Sequence, residues 1–272
     1  KNPSGKVFYF DDIFADVQAA PVPVIENPGW PVNAVKLAAG QTITIDGNVS
    51  AAEYQGAQAL VMNAQTIQGV PDPYFKQYNH DGALLNAGMV DTTPLDDFNA
   101  TYYFMWDDQF FYAAASAVDD NYSFVGPDPN GSDALQFVFA ESPDVKDITA
   151  MYIPTIAPED AEGNLLAKND FGGWLAIDIM GVSTVAGKVN PDTSDWTVEV
   201  KIPWSAMTDF TKPVFPPKTG DMVGFVVLAI DYDNGTLEWF SCNESTFPWG
   251  GEGVERMYFI DRGTGLEQWS IY

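Results

Sequence analysis

Between Ala100 and Asp120 the chain reads ATYYFMWDDQFFYAAASAVDD, two aromatic and small-apolar runs facing each other across Asp107-Asp108-Gln109. Thr101 to Trp106 and Phe110 to Val118 are rich in residues that suit a pleated, half-buried surface, and the paired aspartates between them turn a chain readily. The pattern predicts a central β-hairpin whose rings enter a core. A hairpin of this kind commits the chain to antiparallel sheet around it. Trp196 to Trp204 carries the same message: Trp196, Val198, Val200 and Ile202 share one face, and Thr197, Glu199 and Lys201 share the other. That alternation predicts one buried face and one wet face.

Helical spacing is scarce elsewhere, and Pro (19) and Gly (23) divide the sequence into strand-length pieces. Strands are expected at Gln41 to Ile45, Gln58 to Ala64, Ala134 to Ala140, Ile148 to Ile153, Trp174 to Ile179, Ser183 to Val189, Met222 to Ile230, Leu237 to Cys242 and Arg256 to Asp261. A helical turn is expected in Ala51 to Ala57, a long connection in Gln65 to Asn99, and a polar loop in Pro158 to Asp170. Short strands between turn clusters point to an all-β chain, an antiparallel β-sandwich. Residues 1–40, with Pro21, Pro23, Pro28 and Pro31, read as an extended N-terminal arm, and residues 41–272 as the sandwich domain.

Charge narrows the partners. Twelve Lys and Arg stand against 38 Asp and Glu, a formal charge of −26. Nucleic acid and anionic membrane surfaces require cationic patches, so neither is expected as a partner. No run is long and apolar enough for a membrane helix, so no insertion is expected. The single cysteine, Cys242, leaves no internal disulfide, and the lone His80 leaves no histidine-based zinc site or triad. The chain begins at Lys1 without Met, as it would after removal of a signal peptide, and an extracellular or cell-surface location is the expectation.

Several stretches, in order, resemble family 9 carbohydrate-binding modules and related DOMON-like domains. Thr42-Ile43-Thr44-Ile45-Asp46-Gly47 with Glu53-Tyr54 is similar to their opening xIxIDGxxxxxEW. Met105-Trp106-Asp107-Asp108 before Phe111-Tyr112 is similar to WDDxxLY, with Asp119-Asp120 matching the DD that follows. Ser132-Asp133 through Phe139 resembles the next strand, Trp196 through Ile202-Pro203-Trp204 resembles yxxExxIPW, and Gly220 through Gly224-Phe225 to Asp231-Tyr232-Asp233 resembles GxxxGFxxxxxDxD. The likeness spans Gln41 to Asp261. Gln136 stands where Glu is usual, and a longer Glu-rich loop, Asn243 to Glu255, replaces the final strand.

The resemblance implies a non-catalytic carbohydrate-binding protein in which two Trp rings sandwich a sugar. Trp239 and Trp249 are the positions that match, with Trp174 as a third ring bordering a loop; Asn243, Glu244 and Glu252 are placed to supply polar edge contacts. A Pro-Trp-Gly-Gly loop that merely closes the end of the sandwich would read the same. Trp106, Trp196 and Trp204 are expected in the core. Asp231 and Asp233 with Glu238 form one candidate calcium cluster, and Asp119 and Asp120, with Asp128 and Asp133, a second; calcium as a structural ion is the only cofactor expected. An Asn-Gly hairpin turn at Asn234-Gly235 explains the first cluster without metal. Carboxylate pairs abound, but none is set apart as a glycosidase pair would be. The rival reading is a structural surface or filament subunit that assembles through residues 1–40 by strand addition.

Overall fold

A computed structural model describes residues 32–63, 76–79, 98–124, 132–145, 147–158, 163, 165–169, 178–211, 215–233, 236–241 and 255–262. The hairpin is its centre. Strands β4 (Phe98–Trp106) and β5 (Phe110–Asp119) pair antiparallel from Phe98 opposite Asp119 to Trp106 opposite Phe111. Asp107 builds the turn: its Oδ1 accepts the N–H groups of Gln109 and Phe110, both at 2.7 Å, and its Oδ2 accepts the Tyr112 hydroxyl at 2.8 Å. This is an aspartate side chain standing in for backbone acceptors in a tight reversal.

On one side of the hairpin, β11 (Trp196–Pro203) pairs with β5, and β10 (Thr184–Val189) pairs with β11. On the other, β2 (Ala59–Asn63) pairs antiparallel with one stretch of β4, and β1 (Val32–Lys36) runs parallel to its end. β1 also runs parallel to β14 (Glu255–Ile260), which pairs with the long strand β12 (Met222–Asp233). β12 further pairs with β13 (Thr236–Ser241) and β6 (Ala134–Ala140), and β8 (Pro154–Ala157) and β9 (Leu166–Asn169) continue beyond β6. The short strands β3 (Lys76–Asn79) and β7 (Met151–Tyr152) border β13 and β6.

All fourteen strands among the described residues therefore belong to one connected sheet, whose two halves are joined through β1 and β14. Hydrogen bonds do not divide it into two separate sheets. The halves face each other across a shared aromatic core: Phe111 lies 4.9 Å from Phe139 and Phe104 lies 5.1 Å from Phe225, both edge to face. Edge-to-face pairs add about 0.5–1.5 kcal/mol each beyond the area they bury. Trp106, Trp196 and Trp204 are buried there as expected.

The differences from the sequence reading are local. Val32–Lys36, inside the segment read as an arm, is a buried strand within the sheet, while residues 1–31 lie outside the described set. Gln41 to Ile45 is not a strand. It runs extended over the outer face of β4 and β5, where Ile43 packs with Tyr54, Met105 and Tyr112. Its bonds go instead to a neighbouring turn, with Gln41 Nε2 donating to the Glu53 carbonyl (2.7 Å) and Thr44 N–H to Glu53 Oε1 (3.2 Å). Ile148–Ala150 is a 3-10 turn ahead of the short β7, and β9 lies in what reads as a polar loop.

Candidate functional site

Three carboxylates meet at one end of the core. Asp119 closes β5, Asp133 immediately precedes β6, and Asp231 lies near the end of β12. The β6–β12 register pairs Ala134 with Ile230, so one step further Asp133 stands opposite Asp231. β5 brings Asp119 from the facing half. All three are buried, and an oxygen of each lies within 4.8 Å of the others. The cluster merges the two candidate groups read from sequence, taking Asp119 and Asp133 from one and Asp231 from the other. Asp120 is exposed and outside it. Asp231 pairs in register with Glu238, and Asp233 with Thr236, across the β12–β13 ladder.

Neutral donors hold two of these groups in place. The Trp196 indole N–H donates to Asp119 Oδ2 at 2.9 Å and the Asn121 N–H to Asp119 Oδ1 at 2.9 Å. Asp133 accepts the Tyr232 N–H on Oδ1 at 2.6 Å and the Ser123 N–H on Oδ2. Three carboxylates this close repel one another and are expensive to bury unless a proton or a cation intervenes. The donor set is all oxygen, which suits a hard cation of the calcium or magnesium type and not zinc. Calcium–oxygen bonds of about 2.4 Å allow ligand oxygens to be up to about 4.8 Å apart, so the spacing fits one shared ion.

A second polar constellation runs against the alternation of β11. Glu199, expected on the wet face, is fully buried. Its Oε2 accepts the N–H groups of Asp46 (3.0 Å) and Gly47 (2.8 Å), and its Oε1 accepts the Tyr54 hydroxyl (2.9 Å). The segment 38–57 is thereby pinned as a flap over the outer face. Gly47 has φ of +79°, a conformation that suits glycine at this tight turn.

Burial, and secondarily the charge of Glu199, push the Tyr54 phenol far above its ordinary range; burial also raises Tyr112 and Tyr152, with help from Asp107 and Asp209 respectively. The fold thus favours the neutral phenols. Their contribution is complete below the unfolded value of about 10 and is lost as pH rises beyond it. Melting temperature is expected to fall above about pH 10, with the tyrosinate absorbance of Tyr54, Tyr112 and Tyr152 appearing only as the protein unfolds. Ionisation of these tyrosines in the folded protein would contradict this.

The aromatic candidates divide differently. Trp239 belongs to β13, in register with Ile230 on one side and Tyr78 on the other. Trp174, Asn243, Glu244, Trp249 and Glu252 lie outside the described residues.

No protein-family model matches this chain, and no curated protein sequence matches it. Among solved structures, it is similar to a family 9 carbohydrate-binding module from Caldicellulosiruptor kristjanssonii in complex with cellotriose, with TM-score 0.56 and 14% identity over 86% of this chain and 96% of that one. A family 9 module from the same organism in complex with glucose gives TM-score 0.55 and 13% identity over 86% and 98%. The chain has a family 9-like, all-β fold, and at these identities the likeness is one of fold.

Proposed function

We propose that this chain is a non-catalytic, extracellular carbohydrate-binding module. The observation that carries the reading is the fold shared over 86% of the chain with modules in complex with cellotriose and glucose. A sugar ring presents an apolar C–H face and a polar rim, so its site combines flat aromatic faces with amide or carboxylate partners. In this chain Trp239 and Trp249, with Trp174, supply the faces, and Asn243, Glu244 and Glu252 supply the rim. Calcium shared by Asp119, Asp133 and Asp231, with Asp233 and Glu238 flanking in sequence, acts as a structural ion that ties the ends of β5, β6 and β12 together.

Trp249→Ala and Trp239→Ala are each expected to weaken binding of a cello-oligosaccharide by roughly tenfold or more, read by titration calorimetry. Far-UV circular dichroism should stay unchanged. Parent-like affinity in both variants would remove these rings from the site.

A further inference from the structure

A groove of about 430 Å³ opens on the outer face of β5, β10 and β11, within the range of about 300–1,000 Å³ usual for small-molecule sites. Its floor is Ser116, Val118 and Thr197, the outward positions that alternate with buried Ala115, Ala117, Trp196 and Val198. The flap tip at Gly47 and Asn48, Lys188 beside it, and the turn at Asn190 line its rim. A side chain on Gly47 would come within 3.1 Å of the Lys188 Cγ, so glycine there lets the lysine stem lie against the flap.

Two features mark the groove as more than a surface dip. The first is Lys188. Its ammonium donates to Asn48 Oδ1 at 3.0 Å, a neutral amide, and among the described residues it makes no ion pair. In a chain with 38 acidic side chains against 12 basic ones, that leaves a cation with donors to spare and no carboxylate on it. Asp195 also borders the groove and brings a negative charge to it, with its oxygens held by two donors: Oδ1 accepts the Asp119 N–H at the end of β5 (3.3 Å) and Oδ2 the Thr193 hydroxyl in its own turn (2.8 Å). The second is Val118, 43% exposed; Val182 is the only other exposed large apolar side chain among the described residues. The Thr197 hydroxyl donates to the Gly47 carbonyl (2.7 Å), so the apolar contact at Val118, the Lys188 ammonium and the Ser116 hydroxyl are the groups that match a ring with a C–H face and a carboxylate.

We propose that this groove binds a carboxylated sugar, the uronic acid residue of an acidic glycan. The net charge of −26 opposes an anion at long range, but screening confines that effect to about 8 Å at physiological ionic strength, and Lys188 is inside the groove. The inference is independent of the loop site, since the groove lies on the β5–β11 half and Trp239 on the β12–β13 ladder. Failure of one leaves the other intact.

The test is an NMR titration of the full chain with a short oligogalacturonate, with cellotriose and acetate as separate probes. The oligogalacturonate should shift resonances at residues 47–49, 116–118 and 188–190. Lys188→Gln should weaken its binding about tenfold, and Val118→Asp should weaken it at least as much. Lys201→Gln, on the same face outside the groove, should leave it unchanged. The shifts should persist in Trp239→Ala. Absence of shifts at millimolar oligogalacturonate, equal affinity for cellotriose or acetate, or indifference to both groove variants would overturn the proposal.

Discussion

Glu199→Ala is expected to be the most destabilising single substitution outside the aromatic core. It strands two backbone N–H groups and the Tyr54 hydroxyl beneath the flap, where water does not replace the lost acceptor. Each buried donor left without a partner costs about 1–3 kcal/mol, so the total is roughly 3–5 kcal/mol. For a chain of this size that lowers the melting temperature by roughly 10 °C. Glu199→Gln keeps an acceptor for the N–H pair, and its amide can donate to the Tyr54 oxygen, so it should cost about 1 kcal/mol. Tyr54→Phe should be similarly mild. The ranking Ala far below Gln is the signature of the clamp; an Ala variant melting within about 2 °C of the parent would contradict it.

Calcium should give the second large effect. An ion bound only by the folded state stabilises it by about 2.7 kcal/mol at a hundred times its dissociation constant, which amounts to several degrees in melting temperature. Added calcium is therefore expected to raise the melting temperature, and a chelator to reverse it. Asp231→Asn should abolish the response. It should also melt higher than the chelated parent, because it removes one of three mutually repelling charges. Asp120→Asn, outside the cluster, should respond as the parent does. Equal melting with calcium and with chelator, or a full calcium response in Asp231→Asn, would contradict a shared ion at this cluster.

Much of the sheet was legible because period and turn chemistry agree. β4, β5, β6, β11 and the bulk of β12 fall where apolar alternation or continuous apolar runs place them. β1 was not legible: four of its five residues are buried, it pairs on both edges, and VNAVK follows Pro31 without any contrast between faces. Glu199 misled for a related reason. A period of two reports which face a residue is on, and says nothing about a flap arriving from 152 and 153 residues away to cover that face. The carboxylate trio was half legible. Asp119 and Asp133 were grouped together, but Asp231 joins them only through the β6–β12 register, a long-range pairing. The signal that was available is that each of the three lies at or next to a strand end.

A non-catalytic carbohydrate-binding module must bind a glycan and leave it intact. Titration of the full chain against a panel of oligosaccharides, followed by sizing of the recovered sugars, tests it directly. Saturable binding to at least one neutral oligosaccharide is expected, with every chain recovered at its starting length. No binding to any member of the panel, or recovery of shortened products, would contradict it.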